Sequence, residues 1–175
     1  MQHVALLRGI GPGNPKMRNA ELVRVLSEAG LDDVRAVISS GNFLFRADGT
    51  DRRALEQRIE AALEAHLGAP CSTIVRSRRQ LHGLAGLGVF DGRDDGPASR
   101  CQVTFLKRPP RSGAGVPDGD GYEVLGVQRQ AVFFVVDTTR AKTPDVMALL
   151  ERTYGREITT RTWRTVERIR RAFDG

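Results

Sequence analysis

Apolar positions along the chain fall into short blocks whose period switches between two and about 3.6 residues. Residues 3–8 hold the run Val4-Ala5-Leu6-Leu7, apolar on both faces of a short strand. Leu22, Val25, Leu26 and Ala29 then recur at helical spacing, with Asn19 as the N-cap and Gly30 closing the helix. Val34, Ala36 and Ile38 alternate as in a strand. Ser39-Ser40-Gly41-Asn42 has the chemistry of a turn, and Phe43-Leu44-Phe45 resumes an extended run, which predicts a hairpin. The spacing of Leu55, Ile59, Ala62, Leu63 and His66 predicts a helix over 51–67, with Gly68 just past its end. Residues 72–76 form a further strand. The resulting order, β-α-β-β-α-β, is the split βαβ order of a ferredoxin-like module, the α/β plait.

The second half repeats that order in worn form. Ser77-Arg78-Arg79-Gln80 fits a capping box and starts a short helix reaching Leu84. Residues 88–99 are rich in Gly and Asp and read as a flexible connection. A strand over 100–107 has Cys101, Val103 and Phe105 on one side. Pro109, Pro110 and Pro117 interrupt the stretch that follows, so the helix expected there is lost or shrunken. Residues 122–127 and 131–136 pair as a hairpin around 128–130. Pro144 starts a helix carrying Val146, Leu149 and Leu150 and closed by Gly155. A strand over 158–161 and a helix over 162–173 complete the chain.

The predicted fold class is therefore α+β. Two ferredoxin-like modules span residues 1–78 and 100–175, joined by a linker helix and loop over 79–99. The second has a degenerate first helix and carries the terminal helix. No residue-level repeat accompanies this, so duplication rests on element order alone. The central strands are apolar on both sides, whereas an open sheet face shows alternation with polar residues. The two sheets are therefore expected to cover each other, or to be covered by a second copy in a homodimer. An RNA-recognition module keeps its central strands open to stack bases, and this chain lacks that feature.

Composition narrows the function classes. The longest apolar runs, such as 131–136, are far too short to cross a bilayer. No basic n-region and apolar h-region open the chain, so it is read as cytoplasmic, with Cys71 and Cys101 as reduced thiols. The net charge of +6 is spread, with 12 basic against 9 acidic residues in 1–80 and 15 against 12 in 81–175. Lys occurs only at 16, 107 and 142. Such an Arg bias is also the product of a GC-rich genome.

Chemistry concentrates in two places. The first is the loop from Arg8 to Asn19, which leaves a strand, passes Gly9, Gly11 and Gly13, and opens onto a helix N-terminus. In a 4-1-3-2 strand order the loop lies at the same sheet edge as Ser39, Ser40 and Asn42. Arg8, Gly9, Lys16, Ser40 and Asn42 would then converge on a phosphate or carboxylate. The bland alternative is a glycine turn, a hairpin and a surface ion pair. The second place is Arg164, Arg168 and Arg171, a basic stripe along the last helix near Arg161, which could meet the phosphates of a nucleic acid; the bland alternative, which is favoured, is a solvated face or a complement to a helix C-terminus. Trp163, Val166, Ile169 and Phe173 share a face of that helix, which makes Trp163 a core anchor.

Named cofactor and catalytic motifs are not met. Gly9-x-Gly11-x-x-Asn14 breaks the dinucleotide fingerprint at its third glycine, and no P-loop is present. His3, His66, His82, Cys71 and Cys101 have no metal-ligand spacing. Asp91, Asp94 and Asp95 could hold a hard cation, with a solvated acidic loop as the default. No cofactor, metal site or catalytic set is nominated, and an enzyme of unassigned reaction stays as a third class.

Val4-Ala5-Leu6-Leu7-Arg8-Gly9-Ile10, Ala20-Glu21-Leu22, Ser40-Gly41-Asn42 and Thr159-Thr160-Arg161-Thr162-Trp163-Arg164-Thr165-Val166 occur together in this order. In combination they resemble the bacterial domain-of-unknown-function 1697 family. The sequence departs from the family pattern at Gly11-Pro12-Gly13-Asn14, at Asn19 and at Thr162. The resemblance implies paired α/β-plait domains and no established activity.

Overall fold

The computed structural model describes residues 1–11, 13–38, 41–49, 51–111, 113–140 and 143–175. Among these, eight strands and five helices form. The first part contains β1 (Gln2–Leu7), a 3-10 turn (Pro15–Met17), α1 (Asn19–Glu28), β2 (Asp32–Ala36), β3 (Asn42–Arg46), α2 (Arg52–Leu67), β4 (Thr73–Ser77) and α3 (Arg78–Ala85). The rest is β5 (Ser99–Leu106), β6 (Tyr122–Gln128), β7 (Ala131–Asp137), α4 (Thr143–Tyr154), β8 (Ile158–Thr162) and α5 (Trp163–Ala172). The chain divides into two units. Unit 1 comprises 1–82 with 168–175, and unit 2 comprises 83–167.

Local chemistry accounts for most element boundaries. The Asp51 carboxylate accepts the Arg53 and Ala54 N–H groups at the start of α2, and Gly68 closes that helix at φ +75°. The capping box at α3 is reciprocal: Gln80 N–H donates to Ser77 Oγ (3.2 Å) and Ser77 N–H to Gln80 Oε1 (2.9 Å). Two expectations are corrected. Arg18, not Asn19, is the N-cap of α1, because extended backbone at Arg18 already presents its carbonyl to Leu22 N–H at 3.1 Å. Ile38 does not continue the alternation of β2, which ends at Ala36, because its backbone turns left-handed at φ +64°.

Each unit holds one four-stranded antiparallel sheet, in the orders β2-β3-β1-β4 and β6-β7-β5-β8. Counted in chain order within its own unit, each sheet reads 2-3-1-4. In unit 1, Ala5, Leu7, Phe43, Phe45 and Val75 pack with Leu22, Leu26, Leu55, Ile59 and Leu63 from α1 and α2. On the opposite side of the same strands, Val4, Leu6, Leu44 and Ile74 are buried as well. In unit 2, Leu106, Val132, Phe134, Val136 and Ile158 pack with Val146 and Leu150 of α4. No helix forms between β5 and β6 among the described residues, as the prolines there predicted.

Strand register puts the two units into residue-by-residue correspondence, a repeat that the sequence conceals. Val4 faces Leu44 and Arg76, while Val103 faces Phe133 and Arg161. Leu7 N–H donates to Gly41 O (2.8 Å) and Leu106 N–H to Gln130 O (2.9 Å). Arg8 N–H donates to Ser72 O (2.9 Å) and Lys107 N–H to Glu157 O (3.0 Å). Arg76 and Arg161 thus hold equivalent places on β4 and β8. Each guanidinium bonds the carbonyl of the residue before it, at 2.8 and 2.9 Å, and burial lowers the pKa of each to about 10. Each arginine is followed by a hydroxyl residue capping the next helix, Ser77 for α3 and Thr162 for α5.

The outer edge of β4 is not left open. Glu60 accepts Thr73 N–H at 2.8 Å and Glu56, buried to 3% exposure, accepts Val75 N–H at 3.0 Å. Two side chains of α2 therefore satisfy the donors that an edge strand would present to another chain.

Candidate functional site

Where β1 ends, the chain enters the basic glycine loop, and hydrogen bonding fixes that exit from two sides. Leu7 N–H reaches Gly41 O in the turn before β3, and Arg8 N–H reaches Ser72 O before β4. Gly41 is at φ +77°, and a Cβ there would lie 3.1 Å from Leu7 O and 3.2 Å from both Leu7 Cβ and Ile10 Cγ1. The absent side chain lets the turn close directly onto the loop. Asn42, 2% exposed, is the next residue and lies opposite Leu6 in the register of β1 and β3. Arg8 is partly exposed, Gly9 adopts φ +75°, and nothing lies within 4 Å of a Cβ built on Gly9, Gly11 or Gly13. The structure thus brings the Arg8–Ile10 segment and the Gly41–Asn42 segment together. Ser39 and Ser40 lie outside the described residues.

Lys16 is held elsewhere on the loop. Its Nζ donates to His66 O at 3.3 Å, and His66 Nε2 meets Lys16 O at 3.0 Å. The ammonium therefore sits on the carbonyl end of α2, where the helix dipole favours a cation. His66, which the helical spacing placed on the apolar face of α2, uses its ring in this loop anchor. Asn14 Oδ1 accepts Lys16 N–H at 3.0 Å and shapes the 3-10 turn.

The equivalent edge of unit 2 differs in two respects. Between Val37 and Asn42 unit 1 has four residues, whereas between Gln128 and Ala131 unit 2 has only Arg129 and Gln130. Both of those are left-handed, at φ +51° and +60°, as a tight two-residue hairpin requires. Secondly, the residue matching Ser72 is Glu157. Its carboxylate lies 3.6 Å from Lys107 Nζ and 3.0 Å from Arg108 Nε. Sequence spacing gave no sign of this ion pair, because Lys107 and Glu157 are 50 positions apart.

The four arginines of the terminal region have different surroundings. Arg161 is partly exposed, with Nη1 donating to Thr159 Oγ1 (2.8 Å) and Thr160 O (2.9 Å). Arg164 is exposed but pairs with Asp95 at 3.3 Å. Arg168 and Arg171 are exposed on α5. Trp163 packs its ring against Phe90 at 5.1 Å, and Phe90 in turn meets Phe133 at 5.7 Å. The ring is an anchor within unit 2.

A feature that sequence reasoning missed lies at the other end of β1. A cavity of about 600 Å³ is lined by His3, Arg52, Val75, Ser77 and Arg79 among others. His3 is 3% exposed, stacks on Phe45 at 5.3 Å, and has no hydrogen-bond partner on either ring nitrogen. Burial, aided by the nearby terminal ammonium, lowers its pKa and keeps the ring neutral at pH 7. Both cysteines are free and buried, and desolvation pushes each thiol up to about 11. Asp95 is spent on Cys101 N–H and Arg164, and no cluster suited to a metal ion occurs among the described residues. No helix among the described residues is long and apolar enough to cross a membrane.

Comparison with known proteins bears on the fold and the family. A conserved bacterial protein from Streptococcus pneumoniae has a similar solved structure, with a TM-score of 0.75 at 20% identity, covering 99% of this chain and 98% of that one. Identity at that level carries the fold alone. No curated protein matches the chain. A family model described as "Protein of unknown function (DUF1697)" matches residues 1–119, which include β1, the basic loop and the Gly41 turn. The chain belongs to the DUF1697 family of bacterial proteins of unknown function.

Proposed function

We propose that unit 1 binds a small anionic ligand, a phosphate or carboxylate, at the edge where the Arg8–Asn19 loop meets the Ser39–Asn42 turn. Arg8 is its charge partner, backbone N–H groups from Gly9 onward surround it, and Ser40 and Asn42 supply polar contacts. Lys16 contributes by tying the loop to α2. The observation that carries this reading is the close approach of Gly41 to Leu7 and Ile10, since it joins the basic loop to the polar turn. The extra length of the turn supports it: relative to unit 2 it has two more residues, in a segment that includes Ser39 and Ser40. The left-handed Ile38 at its entrance is a β-branched residue in a sparsely populated region, of the kind that clusters at binding sites.

This reading takes each unit as a ferredoxin-like module, the second without its first helix, in agreement with the shared 2-3-1-4 strand order. Amide shifts from an NMR titration with inorganic phosphate and with succinate at low ionic strength test the site. Wild type should respond around Gly9, and Arg8→Ala should lose the response while keeping its circular dichroism. An Arg8→Ala protein that binds like wild type would end the reading. The nucleic-acid alternative now rests on Arg168 and Arg171, and a gel shift decides it. Retardation that vanishes in Arg168→Ala/Arg171→Ala would favour it, and no retardation at low salt would remove it.

A further inference from the structure

The cavity at the start of β1 lies wholly within unit 1, since all of its lining residues fall in 1–82. Strand register fixes its floor. His3 on β1 lies opposite Phe45 of β3 on one side and opposite Ser77 of β4 on the other. Val75 stands two residues before Ser77, on the same face of β4. Arg52, the first residue of α2, and Arg78 and Arg79, the first two of α3, supply the rest of the wall. Three arginines and no acidic side chain thus line the space. A lining of one sign repels cations and draws in anions. Arg78 is committed to Asp174 at 2.5 Å and to Gln2 Oε1 at 3.2 Å, and Arg52 lies 3.8 Å from Glu56. Arg79 is exposed and makes no ion pair among the described residues.

His3 supplies a second, independent observation. Its ring is 3% exposed, yet neither nitrogen has a hydrogen-bond partner among the described residues. Buried polar groups are normally paired, so both nitrogens call for a partner from outside the chain. One water occupies about 30 Å³, whereas the cavity holds about 600 Å³, far more than satisfying one ring requires. That volume lies in the range of small-molecule sites. A neutral imidazole offers one donor and one acceptor. Ser77 Oγ, which accepts Gln80 N–H at 3.2 Å, keeps its own hydroxyl hydrogen to give. A hydroxyl group, which both donates and accepts, matches that buried end. We infer that this cavity binds a small organic anion, whose phosphate or carboxylate meets Arg79 and whose body carries a hydroxyl to the His3 ring. The site is separate from the Arg8 edge at the opposite end of β1 and does not depend on it.

An NMR titration tests this, read at the Ser77 amide and at the ring nitrogens of His3. The probes are 4-hydroxybenzoate and 4-hydroxyphenyl phosphate, which share one body and differ in the anionic head, with phenol and inorganic phosphate as the two halves alone. At least one whole probe should shift Ser77 and both His3 nitrogens to saturation, and the tighter of the two names the head group. It should bind at least about tenfold more tightly than either half. Arg79→Ala, a change at an exposed position, should weaken binding by about tenfold or more. His3→Phe keeps the stack on Phe45 and removes both unpaired nitrogens. It should abolish the Ser77 response while raising the urea midpoint. Phenol binding as tightly as the whole probes would overturn the anionic assignment. A Gly9 response without one at Ser77 would overturn this site and leave the Arg8 edge standing. No Ser77 response to any probe, or binding unchanged in His3→Phe, would overturn the inference.

Discussion

An added methyl group would be felt sharply at Gly41. Its φ of +77° strains any L-residue, and the nearest obstacle to a Cβ is Leu7 O, a backbone atom, at 3.1 Å. Gly41→Ala should destabilise the protein by about 1–3 kcal/mol. Urea unfolding followed by circular dichroism should show a lower midpoint with an unchanged slope. An unchanged midpoint would mean that the turn and loop adjust freely, which would also weaken the case for a pre-formed anion site. The sequence made Gly41 recognisable as a turn residue from its neighbours Ser40 and Asn42. What it could not disclose was the contact with Ile10, because that depends on which strand lies beside β1. Glu157 was illegible for the same reason, whereas Arg8 stood out as a cation directly after an apolar strand.

Elements with local signals were read nearly to their ends. Asp51 and Gly68 bracket α2, and Ser77 with Gln80 opens α3, because each cap acts within four residues of its own chain. The role of α2 toward β4 was not readable. A helical glutamate looks like a solvent-facing residue unless one knows that an edge strand runs alongside. Glu56→Ala would leave Val75 N–H buried without its acceptor, and a loss of about 1–3 kcal/mol is expected. Hydrogen exchange at the Val75 amide should accelerate in that variant, and Glu56→Gln should restore most of the protection because the amide oxygen still accepts. Equal protection in all three proteins would show that water or a neighbour replaces Glu56 without penalty. The opposite edge strand, β2, bulges between Asp32 and Arg35 and carries charged residues, another way of discouraging strand addition.

For the molecule as a whole, element order anticipated two sheets, and both are four-stranded and antiparallel with the order 2-3-1-4 counted within their own unit. The positions the halves share at corresponding places are few: an arginine on the last strand of each sheet, a capping hydroxyl after it, and apolar strand interiors. The two thiols give a stability signature with a defined sign. Each is raised to about 11 in the folded chain, against about 8.5 for an ordinary thiol. Between those values the folded state holds protons that the unfolded state releases. Stability from this source is thus complete below the unfolded pKa and is lost as pH rises toward the folded one. Urea midpoints should fall between pH 8.5 and about 11, less steeply in Cys71→Ala/Cys101→Ala. Identical slopes would show that other groups dominate the alkaline limb. In the native protein at pH 8 both thiols should resist a disulfide reagent until the chain is unfolded.

Unit 1 is assembled from both ends of the chain, residues 1–82 and 168–175. Phe173 is buried, Arg78 pairs with Asp174, and Arg35 donates to the carbonyl of Ala172. A ribosome makes the first 82 of these residues long before the last eight. Residues 1–82 therefore lack these contacts until residues 168–175 have been made, after the whole of 83–167. Removing residues 168–175 would thus cost unit 1 the buried Phe173 and the contacts of Arg78 and Arg35, although those residues lie far along the chain from the rest of the unit.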